Sequence, residues 1–247
     1  MSRIIWDKTG ERWYEMGTDR GVLYPQSFDG TYPAGVAWNG LTAVTVSPEG
    51  AEATDLWADN IKYGSLRSAE TFGGTIEAYT YPEEFEACDG SVSVAEGVHI
   101  GQQSRNPFGF CYRTMLGNDT ASGEDDGYKL HLVYGATASP SERNYTTIND
   151  SPEAVTLSWE FDTTPVNVTG HKPTATLTID SRTADPTKLK QLENLLYGTD
   201  AGAEGRPAAT EPKLPLPDEV IAIFATDDSS VQSNQASASS VSLDDEV

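Results

Sequence analysis

The chain predicts a mainly β fold, a sandwich or barrel with one or two short flanking helices, and three observations carry that prediction. The dominant hydrophobic period is two in five separate runs, 75–81, 108–116, 128–136, 154–164 and 174–180. Those runs are rich in Val, Ile, Thr, Tyr, Phe and Trp, which suit a pleated, half-buried surface. Only two stretches carry the start and stop signals of a helix.

Taken in order, "YPAGVAWNGLTAV" (32–44) comes first, with Val36 and Trp38 on one face of an extended run. The alternation then resumes out of phase after Asn39-Gly40, which predicts a bulge or tight turn, because Gly accepts backbone angles closed to other residues. No helix start follows to build a ligand cradle, so the stretch reads as scaffold, with Trp38 a core or interface anchor. "TIEAYTY" (75–81) is the first strand. "YPEEFEACDG" follows with Pro82 at a first helical position, Glu83 and Glu84 in the first turn and Gly90 as a stop, the marks of a short helix. "FGFCYRTML" (108–116) and "YKLHLVYGA" (128–136) flank the polar turn "LGNDTASGEDDGY" and form a hairpin. Asp125 and Asp126 in that turn lack the alternate carboxylates and distant Glu of a calcium loop. In "AVTLSWEFDTT" (154–164), Val155, Leu157, Trp159 and Phe161 share one face while Thr156, Ser158, Glu160 and Asp162 share the other. "TATLTID" (174–180) alternates in the same way. "DPTKLKQLENLLYG" is the stronger helix: Asp185 caps, Pro186 opens, Leu189, Leu192, Leu195 and Leu196 form the apolar stripe, and Gly198 closes. After Tyr197 the chain becomes Pro-, Gly- and Ala-rich, with "EVIAIF" as a short final strand. Residues 225–247 are Ser-rich and acidic and predict a disordered tail.

The net charge of −22 argues against binding nucleic acid by phosphate neutralisation, which needs clustered Lys and Arg. It is compatible with lying beside nucleic acid, since an acidic wall repels phosphate. Residues 1–197 hold 28 acidic against 14 basic residues, so the charge is not confined to the tail. "MSRIIWDKTGERW" has no basic segment leading into an apolar one, and no apolar run approaches the ~18 residues a membrane span needs. Synthesis in a cytoplasm is the expectation, which makes the three Asn-x-Thr sequons chance occurrences. Cys88 and Cys111 fit neither a disulfide framework nor a zinc site and are expected as free, packed thiols. His99, His131 and His171 show no metal-ligand spacing, and neither a Gly-x-Ser-x-Gly elbow nor a phosphate loop occurs. No enzyme, no cofactor and no metal are expected.

The ordered set "GVAWNGLTAV", "ADNIKY", "TIEAYTYPEEFEACDG", "GQQSRNPFGFCYRTMLGND", "YKLHLVYGATASPSE", "INDSPEAVTLSWEFDTTPV" and "KPTATLTID" resembles the major tail tube proteins of long-tailed, non-contractile bacteriophages, over about residues 1–224. The resemblance implies a β-sandwich or barrel of the phage tail tube type, hexameric rings stacked into a tube, and a place in the virion tail. The implied partners are other copies of the chain, the tape measure protein enclosed in the tube, and the tail tip initiator and tail terminator proteins. Genomic DNA passes through the lumen without specific binding, and no membrane is involved. On the same ground, residues 1–35 are expected as an N-terminal interface arm with Trp6 and Trp13, and 36–224 as the β domain. Within it, a long loop at 45–60 reaches a neighbour through Leu56 and Trp57, the alternative being a loop folded on its own subunit. Glu77, Glu160 and Asp162 are the lumen-lining candidates.

Two other classes compete. A non-polymerising, immunoglobulin-like decoration or host-binding module of the virion suits "PVNVTGHKPTATLTID". An acidic hydrolase requires carboxylates converging in a pocket.

Overall fold

The computed structural model describes residues 3–50, 52–120, 126–147, 150, 154–200 and 209–225. The expected acidic tail lies outside the described residues apart from Ala225, as does Asp125. Eight strands form one antiparallel sheet: β1 (Trp13–Pro25), β2 (Val36–Trp38), β3 (Leu41–Val46), β8 (Gly73–Ala78), β11 (Phe108–Asn118), β12 (Tyr128–Ala138), β13 (Leu157–Thr163) and β14 (Thr176–Asp180). Their order is β2-β1-β11-β12-β13-β8-β3, with β14 beside the first half of β12. Between β3 and β8 run β4 (Glu49–Gly50), β5 (Ala53–Ala58), β6 (Ile61–Arg67) and β7 (Glu70–Thr71), and β9 (Val92–Ala95) and β10 (Val98–Ile100) form a second excursion. The helices among the described residues are α1 (Glu86–Asp89), entered through a 3-10 turn at Glu83–Phe85, α2 (Pro186–Tyr197) and α3 (Pro217–Phe224).

The two ends of the sheet meet, because Asn39-Gly40 turns β2 straight into β3. Gly40 holds a φ of 74°, and Asn39-Gly40 is the corner at which an almost closed barrel is bent. Gly21 on β1 packs against both Trp38 and Leu41, so even a methyl group there would sit only 3.2 Å from Leu41. The motif is scaffold, and Trp38 is core: its indole lies 4.6 Å from the Phe85 ring and 5.5 Å from those of Phe110 and Trp159. Its Nε1–H donates to the Thr80 carbonyl at 2.9 Å, which removes the cost of burying that donor.

The opposite side of β1, β11, β12 and β14 carries a second apolar layer. Val22, Cys111, Leu130, Leu132 and Tyr134 meet Leu189, Leu192 and Leu196 of α2 and Val220 of α3. A bulge at Gly135, with φ of 60°, switches faces within β12, so Leu132 and Tyr134 face the helices while Ala136 and Ala138 face the barrel. Tyr24 and Tyr134 are buried in this layer, and their hydroxyls donate to the carbonyls of Leu196 at 2.7 Å and Pro215 at 2.9 Å.

The α2 signals act as expected. The Asp185 side chain accepts from the backbone N–H groups of Thr187 and Lys188 at 2.9 and 3.0 Å. Asp185→Ala is expected to cost about 1 kcal/mol, a fall of a few degrees in melting temperature, checked by thermal unfolding of the purified chain.

Three expectations are corrected. "EVIAIF" is the helix α3, because Pro217 sits in its first turn and the Glu219 side chain accepts from the Leu216 N–H at 3.2 Å. A short apolar run cannot be assigned by periodicity alone. Residues 1–35 are not one arm, since β1 pairs with both β11 and β2 in the sheet and, of the described residues, 3–12 precede it. Residues 45–60 are not a loop: β3 ends at Val46, β4 pairs with β7, and β5 pairs with β6 in a two-stranded ribbon.

Candidate assembly surface

Two features of the exterior stand out against a well-filled interior: ribbons that no described residue covers, and a polar half of the sheet. The first ribbon is built by pairing β5 with β6 and turning at Asp59-Asn60, whose φ values of 51° and 62° are those of a tight hairpin turn matched to strand twist. Leu56, Ala58, Ile61 and Leu66 fall on one face by register, and Trp57 lies on the other beside the Asp55–Lys62 ion pair at 2.7 Å. No residue of this arm is buried; Trp57 is 69% and Tyr63 77% exposed. Several large apolar groups are exposed together here, a feature characteristic of contact surfaces. The second ribbon, β9–β10, bears Val92, Val98 and Ile100 on the face turned away from the body. Its other face is fixed by His99, whose Nδ1 lies 2.7 Å from the Glu86 carboxylate.

The N-terminal aromatics divide. Trp6 is 75% exposed and packs on nothing described. Trp13 starts β1 opposite Asn118, and the Arg182 guanidinium sits 4.3 Å from its ring centre, so it is partly held by its own subunit.

Glu77, Glu160 and Asp162 come together on one surface. In the register of β13 with β8, Ser158 is opposite Glu77, Glu160 opposite Thr75 and Asp162 opposite Gly73. On β12, Thr137 is opposite Asp162, and on β3, Thr45 is opposite Thr75. The result is a bare face of hydroxyls and carboxylates behind Trp159, Phe161 and Ile76, which point the other way into the barrel. The outer side of the sheet is thus split: β11, β12 and β14 are roofed by helices, and β13, β8 and β3 are open.

Chemistry is sparse elsewhere. Cys88 and Cys111 are free and buried, and desolvation pushes both thiols up to about 12, the opposite of what a nucleophile needs. His131 lies between β11 and β14, its Nε2 2.9 Å from the Thr114 hydroxyl and its ring stacked on Tyr112; burial lowers its pKa. Asp126 is a turn cap, its carboxylate accepting from the Asn118 N–H at 2.7 Å. Among the described residues no three His, Cys, Asp or Glu are placed to share a metal ion, and no helix is long and apolar enough to cross a membrane.

Both ribbons escaped the sequence reading in their strand form, and so did Tyr63, Ile61, Leu66, Val92, Val98 and Ile100 as surface residues. The signal for the first was present in "WADNIK", an Asp-Asn pair between alternating residues. Neither the protein-family models nor the characterised proteins searched contain a match to this chain.

Proposed function

We propose that this chain is a structural subunit of a phage tail tube, closing into hexameric rings that stack around a lumen. The observation that carries this reading is the split outer face of the sheet. Half is roofed by α2 and α3, and half presents Glu77, Glu160, Asp162 and a row of hydroxyls that no described helix covers. A face of that kind suits the wall of a channel, where carboxylates repel phosphate and let DNA slide past. The uncovered arms supply what ring closure and stacking require: apolar contact surface projecting from the body. Strand edges are also used up when copies join. In this role the chain performs no catalysis, carries no cofactor, and meets the tape measure, tail tip and terminator proteins.

Negative-stain electron microscopy and light scattering on the concentrated protein test the proposal. Rings with six-fold symmetry or hollow tubes are expected, either spontaneously or after adding purified tail tips. A strict monomer under both conditions would overturn it and favour a decoration module.

A second expectation separates the lumen from the arms. Replacing Glu77, Glu160 and Asp162 together by Lys leaves tubes visible by microscopy but retards DNA release from reconstituted particles by about tenfold or more, because phosphate is then attracted to the wall. Unchanged release would mean that this face points elsewhere.

A further inference from the structure

The foot of the first arm holds a cleft of about 890 Å³ that no described residue fills. Its floor is apolar, with Phe72, Pro165, Pro173 and Ala175, and its rim carries Arg67 and Lys172, with Glu70 also bordering it. The side chains of Arg67 and Lys172 form no ion pair or hydrogen bond within the described residues. Most of the other described cations do: Lys8, Arg12, Lys62, Arg113, Lys129, Arg143, Arg182, Lys190 and Lys213 are all matched to carboxylates. Arg105 and Lys188 hold backbone carbonyls instead, and Arg3 and Arg20 are unmatched elsewhere among the described residues, so Arg67 and Lys172 stand out for sharing one cleft beside an apolar floor.

We infer that this cleft receives the β9–β10 ribbon of a second copy, with Val92, Val98 and Ile100 on the floor and Glu96 at the ribbon tip between Arg67 and Lys172. Charge complementarity selects this occupant. Over residues 53–67 the first arm balances Asp55 and Asp59 against Lys62 and Arg67, and residues 3–12 set Arg3, Lys8 and Arg12 against Asp7 and Glu11, so neither brings net negative charge. The β9–β10 ribbon brings Glu96 at its turn, with Glu83 and Glu86 close behind, and an apolar face of its own that nothing covers. Burying Glu96 between two cations adds specificity and steers the approach, while the aliphatic stripe supplies most of the affinity. Cleft and ribbon are different patches, so the contact is heterologous and propagates from copy to copy, as ring closure or stacking demands. It deepens the tube-subunit reading and rests on it.

Disulfide trapping in the full-length protein tests it. A Ser68→Cys copy is mixed with an Ala95→Cys copy under mild oxidation; Cys88 and Cys111 are buried and free, which leaves the introduced pair as the accessible thiols. A heterodimer band is expected. Arg67→Glu with Lys172→Glu in the first copy lowers its yield about tenfold or more, and Glu96→Lys in the second restores it. Rings or tubes without this cross-link would overturn the inference and leave the tube reading standing. A charge-dependent cross-link without rings would do the reverse. A cross-link indifferent to the charge reversals would also overturn the inference. So would Arg67→Glu and Lys172→Glu abolishing retention of a short DNA duplex with no cross-link formed, by assigning the cleft to nucleic acid.

Discussion

Replacing Trp57 by Ala is expected to raise the concentration needed for assembly about thirtyfold or more while leaving the monomer's melting temperature unchanged. The side chain is 69% exposed and touches little of its own subunit, so truncation removes almost no folding energy. If the arm docks on a neighbour, the same indole becomes a buried aromatic anchor, and losing such an anchor costs about 2 kcal/mol or more. Leu56→Asp on the opposite face of the ribbon gives a control, because it charges the apolar face without touching Trp57. Sedimentation and electron microscopy read assembly, and circular dichroism reads the melt. A Trp57→Ala protein that polymerises at wild-type concentration removes the arm from the assembly mechanism.

Trp159→Ala is expected to destabilise the fold by about 3–5 kcal/mol, a large part of what a domain of this kind possesses. Trp159 is 1% exposed and sits at the centre of an aromatic cluster, with Trp38, Tyr81 and Phe85 at ring separations of 5.5, 5.5 and 5.3 Å. Alanine leaves a cavity that strands on all sides of a barrel cannot close, since each is held in register by its neighbours. A fall of about 10 °C or more in melting temperature follows for a chain of this size. Trp159→Phe should cost much less than alanine. It keeps a ring in the cluster, and the indole Nε1–H has no partner among the described residues, so no hydrogen bond is lost. Chemical denaturation of the two variants checks the difference. Equal losses would mean that the cluster is held by the indole's shape rather than by filled volume.

Particular elements show how far the chain could be read without its fold. Alternation in "AVTLSWEFDTT" correctly separated Trp159 and Phe161 from Glu160 and Asp162, because a half-buried strand must place its apolar side chains on one face. The cap, proline and leucine stripe of α2 were equally plain, since helix ends advertise the backbone groups they must satisfy. β1 was not legible as a strand. "WYEMGTDRGVLYP" breaks its own period at Gly17 and again at Arg20-Gly21, where bulges shift the register. The ribbons were not read as strands either: the alternations in "VSV" (92–94) and "VHI" (98–100) are too short to stand out, and "ATDLWA" mixes apolar and polar residues on both faces.

The sequence by itself determined the β class, the two helical stretches it marked, the packed thiols and which carboxylates share a strand face. All of these follow from interactions between residues close along the chain. Only the tertiary structure decided that Glu77 joins Glu160 and Asp162 on one open surface, that Asn39-Gly40 brings the two ends of the sheet together, and that Arg67 and Lys172 flank a common cleft. Those facts depend on strand order and register, which are set by contacts between residues far apart in sequence and leave no local trace.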